Sequence, residues 1–183
     1  SVIVKPAPET PLTTLELANL ATKVGIPNGV LNVVAGTDKT GSALTRNSNI
    51  AKLAFTGSSY TGKKVLSELA PILRPATMEL GGKSPNIVFN DINLEKTVSS
   101  VLMTGLYNSG QECCAGARVL VHEEIFDQFL DLVPDSISNI SVGPSNDPNS
   151  QIGPLISSNQ VERVKGFVER ALDEGAQILT KGA

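Results

Sequence analysis

The feature that most constrains the fold of this chain is a regular alternation of short apolar runs with longer amphipathic segments. The runs Val2–Val4, Val30–Val34 and Leu53–Thr56 have the length of strands, and a helix is predicted after each of them. Alternation of this kind is typical of βαβ units around a mostly parallel sheet. The sequence therefore predicts an α/β fold, whose ligands bind beyond the carboxyl ends of the strands.

Later in the chain the same pattern predicts a helix over Ile125–Val133, and a last strand over Ala176–Thr180. The loops that follow strand-like runs are the places where a site is expected. Four of them are rich in glycine or cysteine: Gly36–Gly41, Gly57–Gly62, Glu79–Ser84 and Asn108–Gly116.

Composition and charge exclude several classes of protein. The 15 Lys and Arg against 18 Asp and Glu give a net charge of −3, and aromatic residues make up only 4%, which argues against nucleic-acid binding. No run approaches 18 apolar residues, so no membrane span is expected. The two cysteines are neighbours and build no disulfide framework, which favours a reducing cytoplasm. Together with a single His they lack structural zinc spacing, so no metal is predicted.

The segment Gly57–Lys64 lies where a strand opens into a helix. Glycine lets a phosphate approach the backbone, and free N–H groups at a helix start favour an anion. The pattern Gly-x-x-x-x-Gly-Lys is present, but Lys64 replaces the hydroxyl residue that ligates Mg²⁺ in an NTPase. The segment is thus a phosphate or dinucleotide loop, or else a turn that binds nothing.

Four further side chains have positions that suit chemistry. Cys113 and Cys114 lie in a polar loop bounded by glycine, so either thiol is a candidate nucleophile, and small buried hydrophobes are the alternative. Glu79 ends a strand before two glycines, where it is either a general base or a solvated carboxylate. Lys5 follows the first strand and can reach a ribose or phosphate. His122 is favoured as a surface residue.

Taken in order, the motifs of the chain resemble the aldehyde dehydrogenase superfamily almost from end to end. The segments that carry the resemblance are 5–12, 25–34, Phe55–Ser58 with Gly62, Glu79–Pro85, Gly110–Cys113 and Gly153–Ile156.

The resemblance implies roles for individual residues. Cys113, two places after Gln111, is the nucleophile and Cys114 is not, while Glu79 is the general base for hydrolysis of a thioester. The turn at Gly57 and Ser58 contacts the pyrophosphate of a dinucleotide, and Lys5 binds the adenosine ribose. Contacts with NAD or NADP are implied for these residues and others: Lys5, Gly36, Phe55, Gly57, Ser58, Thr61, Leu80, Gly81, Gln160 and Arg163.

By the same resemblance the fold is a three-layer αβα arrangement. Residues 1–79 form the later part of a Rossmann-like cofactor domain, and residues 80–183 begin an α/β catalytic domain. Pro8 stands where many members carry a Glu that holds the ribose, which leaves NAD and NADP open. We expect the chain to be an internal piece of a longer protein and inactive alone. The whole protein is expected to be a cytoplasmic homodimer or homotetramer that acts on a small aldehyde.

Two alternatives stay open at this point. One is a nucleotide-binding module that uses Gly57–Lys64 as a degenerate phosphate loop without redox chemistry. The other is a catalytically silent relative with a structural or partner-binding role.

Overall fold

A computed structural model describes residues 1–180 of the chain. The chain divides into two compact units, Ser1–Leu80 and Gly81–Ala183. The predicted boundary between the two domains, after residue 79, stays a prediction, and residues 181–183 of the predicted second domain fall outside the described part. Within residues 1–180 no helix has the length and apolar character needed to span a bilayer.

The first unit alternates strands and helices along its whole length. Its elements are β1 (Val2–Val4), α1 (Leu12–Lys23), β2 (Leu31–Val33), α2 (Asp38–Arg46), β3 (Leu53–Gly57), α3 (Ser59–Leu69) and β4 (Ala76–Leu80).

The strands of the first unit form two parallel pairs. β1 pairs with β2, and β3 pairs with β4, in each case with a helix in the connection. The predicted α/β class with parallel strands is confirmed, but the four strands are divided between two small sheets instead of one. In the second pair Thr56 lies opposite Glu79 and Gly57 opposite Leu80. The carboxyl ends of β3 and β4 therefore lie side by side.

The second unit is built on one parallel strand pair and three helices. Its elements are β5 (Pro85–Val88), α4 (Leu94–Leu106), β6 (Arg118–Val121), α5 (Phe126–Ser138) and α6 (Ser158–Asp173). Its core consists of fully or almost fully buried side chains from β5, α4 and α5: Val88, Val98, Val101, Phe129 and Val133.

Local signals account for where several helices begin and end. The side chain of Asn93 accepts a hydrogen bond of 3.0 Å from Lys96 N and caps α4. Ser157 caps α6 in the same way. Beyond α1 the chain turns at Gly25, whose φ of +84° is a conformation that glycine adopts without strain.

Two predicted elements differ from the structure. α5 continues through Pro134 to Ser138 instead of ending at Val133, because Phe129, Val133 and Ile137 are four residues apart and all pack into or against the core. The segment 176–180 is not a strand. There the N–H of Ala176 donates to the Ala171 carbonyl, in the pattern that closes the end of a helix.

Candidate functional site

Lys5 and Gly36 meet beyond the carboxyl ends of β1 and β2. The half-buried Lys5 donates hydrogen bonds from Nζ to the carbonyl oxygens of Pro6, at 2.7 Å, and of Gly36, at 3.1 Å. A Cβ atom at Gly36 would clash with the side chain of Thr40. The structure thus brings two predicted cofactor residues together and holds a positive charge at this edge.

The turn between β3 and α3 has the geometry of a capped helix start. Gly57 ends the strand, and the Oγ of Ser58 accepts a hydrogen bond of 3.2 Å from Thr61 N. Ser58 also donates to Thr61 Oγ1 at 3.1 Å. The first N–H groups of a helix have no partner within it and carry partial positive charge, so this end favours an anion.

Two large apolar residues account for the glycines on either side of this helix start. A Cβ at Gly57 would lie 2.6 Å from the ring of Phe55, and one at Gly62 would lie 2.7 Å from Leu80 Cδ2. Gly62 is buried, so α3 packs directly on the end of β4. The contacts with Phe55 and Leu80 therefore set how closely the first turn of α3 approaches β3 and β4.

The phosphate-loop interpretation of Gly57–Lys64 is disfavoured by the helix boundary. In a P-loop the residues between the two glycines form an open loop whose N–H groups surround the phosphates. Here α3 begins at Ser59, so most of that segment is helical. The Nζ of Lys64 lies 4.3 Å from the ring centroid of Tyr60, on its own helix.

Glu79 is exposed at the carboxyl end of β4, in register with Thr56 on β3. Glu79 is the residue before Leu80 in β4, and Leu80 pairs with Gly57. Glu79 and the Gly57–Ser58 turn therefore lie at the same edge of the strand pair. Both belong to the first unit, whereas the two cysteines belong to the second.

The loop that carries the cysteines is held at several points within the second unit. Ser109 Oγ donates to the Gly153 carbonyl at 2.8 Å, and the side-chain oxygen of Gln111 accepts from Ile156 N at 3.0 Å. Asn108, Ser109 and Gly110 all have positive φ, of 50°, 59° and 71°. Left-handed residues other than glycine cost energy, so these contacts hold a strained segment in place.

Gly82 sets the backbone position of the proposed nucleophile. A Cβ atom at this residue would lie 2.8 Å from the Cys113 carbonyl oxygen. Only glycine allows the two backbones to approach this closely. Sequence reasoning did not single out Gly82, since a glycine pair after a strand predicts a turn and gives no information about a contact 31 residues away.

Both thiols converge on one carboxylate. Cys113 Sγ lies 3.3 Å and Cys114 Sγ 3.5 Å from Oε1 of Glu112, and both thiols are exposed. The hydrogen bond to Glu112, together with its negative charge, raises the pKa of Cys113 above its ordinary value. The same hydrogen bonds, that from Cys113 first, lower the pKa of Glu112. Glu112 therefore disfavours the thiolate of Cys113.

We expect the Glu112→Gln variant to show a lower pKa for Cys113, because it removes the negative charge that disfavours the thiolate. The thiolate is the species that reacts, so alkylation of Cys113 by iodoacetamide near neutral pH should become several-fold faster. Mass spectrometry of the full-length protein measures the rate at this residue. Glu123→Gln removes an equal charge elsewhere in the unit and should leave the rate unchanged, whereas an unchanged rate in Glu112→Gln would contradict the assignment.

The other predicted cofactor residues lie in the second unit. Gln160 and Arg163 share one face near the start of α6, where Gln160 N donates to Ser157 Oγ at 3.3 Å. The Arg163 guanidinium lies 5.9 Å from the ring centroid of Phe167. A Cβ at Gly81 would meet no atom within 4 Å, so packing does not account for this glycine.

The structure thus brings the predicted residues together in separate groups. Lys5 joins Gly36, the Gly57–Thr61 turn joins Phe55, Leu80 and Glu79, Cys113 joins Cys114, and Gln160 joins Arg163. Sequence reasoning missed Glu112, which lies beside the two cysteines and is visible in the sequence as a carboxylate next to a candidate nucleophile.

Comparison with known proteins gives one consistent result. The model of the aldehyde dehydrogenase family matches residues 1–183. A betaine aldehyde dehydrogenase of Vibrio vulnificus strain YJ016 is 43% identical over 182 residues, which is all of this chain and 37% of that protein.

Solved structures of similar proteins contain a dinucleotide. An NAD⁺ complex of an aldehyde dehydrogenase from Bacillus cereus superposes with a TM-score of 0.95 at 38% identity, over 98% of this chain and 37% of that one. A betaine aldehyde dehydrogenase from Staphylococcus aureus in complex with NAD⁺ gives a TM-score of 0.95 at 34% identity, over 98% and 36%. The chain therefore spans just over one third of the length of these relatives.

Proposed function

The chain belongs to the aldehyde dehydrogenase family, and from this premise we propose that it forms part of an enzyme that oxidises an aldehyde to a carboxylic acid with NAD⁺. The observation that carries the proposal is the strand register, which sets Glu79 opposite Thr56, directly before the Gly57–Ser58 turn. An exposed Cys113 on a braced loop of the second unit adds to it.

The chain's own residues suit a covalent mechanism. The Cys113 thiolate adds to the aldehyde carbon and forms an alkoxide, which backbone N–H groups near Cys113 stabilise. When bound, NAD⁺ supplies the acceptor for the hydride that leaves this carbon. Glu79 takes a proton from water, whose oxygen then adds to the thioester carbon. The carboxylic acid leaves, and the sulfur of Cys113 is released as a thiolate.

Features of the first unit support dinucleotide binding. The capped start of α3 follows Gly57 directly, and the N–H groups of this helix end direct positive charge toward a phosphate. The Lys5 ammonium lies beyond the carboxyl ends of β1 and β2, where a ribose hydroxyl can accept a hydrogen bond from it. Pro8 stands where many family members carry a Glu, so this position supplies no carboxylate that would select NAD⁺ over NADP⁺. The choice of NAD⁺ is supported by the NAD⁺ complexes of the solved relatives.

The proposal is tested on the full-length protein with NAD⁺ and a panel of aldehydes that includes aliphatic, aromatic and betaine aldehydes. We expect the absorbance of NADH to rise together with the carboxylic acid product for at least one of them. Failure with every aldehyde would contradict the proposal. Mg²⁺-dependent ATP binding in its place would favour the phosphate-loop module.

We expect the whole protein to form a homodimer or homotetramer. Several apolar side chains of the second unit are largely exposed to solvent, among them Ile87 at 61%, Phe89 at 61% and Leu120 at 53%. Apolar patches of this kind gain free energy when another surface covers them.

A further inference from the structure

We propose that Glu112, Cys113 and Cys114 form a site for a thiophilic divalent cation, Zn²⁺ in the first place, with two thiolates and one carboxylate as ligands. Each residue offers one ligand atom, and the three atoms lie within 4.8 Å of one another. Among the residues that the structure describes, this is the one group of three such side chains close enough to share an ion.

The distances match the coordination sphere of zinc. With Zn–S bonds of about 2.3 Å and Zn–O bonds of about 2.0 Å, a tetrahedral site places sulfur and oxygen about 3.5 Å apart. The observed distances from Glu112 Oε1 to the two sulfur atoms are 3.3 Å and 3.5 Å. An ion can therefore take the place of the two thiol protons with little movement of the side chains.

The charges and the exposure of the cluster suit an open site. Binding of the ion releases the two thiol protons to solvent as the thiolates form, and the Glu112 carboxylate supplies the third negatively charged ligand. Both cysteines are exposed, so water can fill the fourth position. A structural zinc site is closed by four protein ligands, and the cysteine spacing excludes a site of that class. The proposed site takes only three ligands from the described residues and leaves the fourth position open.

Cation binding would regulate activity by occupying the sulfur of Cys113. This consequence rests on the proposed function, in which that sulfur must attack the aldehyde. An enzyme with Zn²⁺ bound would be inactive, and a chelator would restore it. The binding itself is measured without aldehyde or NAD⁺. A failure of binding in an active enzyme therefore overturns this inference alone, whereas binding without any aldehyde oxidation overturns the proposed function alone.

The test is a titration of the full-length protein, reduced with a phosphine, with Zn²⁺ alone against a colorimetric chelator. We expect one Zn²⁺ per chain at this site, at least tenfold weaker binding in Cys114→Ser, and about tenfold weaker binding in Glu112→Gln. Glu123→Gln, with the same change of charge outside the cluster, should bind within about twofold of the wild type. Equal affinity in all four proteins would overturn the proposal.

A second measurement keeps the test decisive if a variant does not fold. Cd²⁺ bound by thiolates gives a sulfur-to-metal charge-transfer band in the ultraviolet. We expect this band when Cd²⁺ alone is added to the wild-type protein, and expect prior alkylation of Cys113 and Cys114 to abolish it. Absence of the band from the folded wild-type protein would overturn the proposal.

Discussion

Replacing Cys113 by Ala in the full-length protein is expected to lower aldehyde oxidation by about a thousandfold or more. In the proposed mechanism the sulfur forms the covalent bond that holds the substrate carbon during oxidation, and no methyl group can replace it. The measurement is the steady-state rate of NADH formation, combined with mass spectrometry for an acyl adduct. We expect neither turnover nor adduct, while NAD⁺ affinity is expected to stay near that of the wild type.

Cys114→Ala is the matched control, since it removes the neighbouring thiol from the same exposed loop. It should keep aldehyde oxidation within about threefold of the wild type. Retained oxidation in Cys113→Ala would overturn the assignment of the nucleophile. If Cys114→Ala alone were inactive, the two cysteines would have to exchange roles.

The Glu79→Gln variant is expected to form the thioester on Cys113 but to hydrolyse it slowly. In the proposed mechanism the carboxylate takes no part in the attack of the thiolate, but it accepts the proton of the attacking water. General-base catalysis contributes about 10²–10⁴-fold, so steady-state turnover should fall by about that factor. Rapid mixing should still show a burst of NADH close to one equivalent per active site.

Hydroxylamine provides the control for this variant, because it cleaves thioesters without help from a general base. We expect it to restore turnover in Glu79→Gln by consuming the accumulated acyl enzyme, and to leave Cys113→Ala inactive. Loss of the burst in Glu79→Gln would place the carboxylate before the thioester and contradict the proposed role.

Much of the fold could be predicted because its signals are local. The strands over Val2–Val4 and Leu53–Gly57 lie within about one residue of their predicted bounds, since short apolar runs between turn residues identify buried parallel strands. Helix α3 starts at Ser59, inside the predicted loop Gly57–Gly62. Capping by Ser58 sets this boundary, and the glycines at both ends of the segment are typical of a loop.

Features that depend on distant contacts could not be predicted from local patterns. α5 passes through Pro134 because its apolar face packs into a core from other elements. Gly82 contacts Cys113 across 31 residues, and no periodicity records such a contact. The raised pKa of Cys113 follows from a side-chain rotamer that directs Glu112 toward both sulfurs. The resemblance to a family identifies Cys113 as the nucleophile, but it does not indicate what the neighbouring carboxylate does.

The bracing of the strained segment 108–110 has a consequence for the order in which the protein folds. Its hydrogen bonds from Ser109 to Gly153 and from Ile156 to Gln111 close loops of 44 and 45 residues. Loop closure of this length has an entropic cost that is recovered only once both ends are in place. We therefore expect the segment 108–110 to reach its final conformation only after residues 153–156 have been synthesised. The core residues of β5, α4 and α5 all precede residue 153 in the chain, so we expect this core to form before the loop that carries Cys113 is fixed.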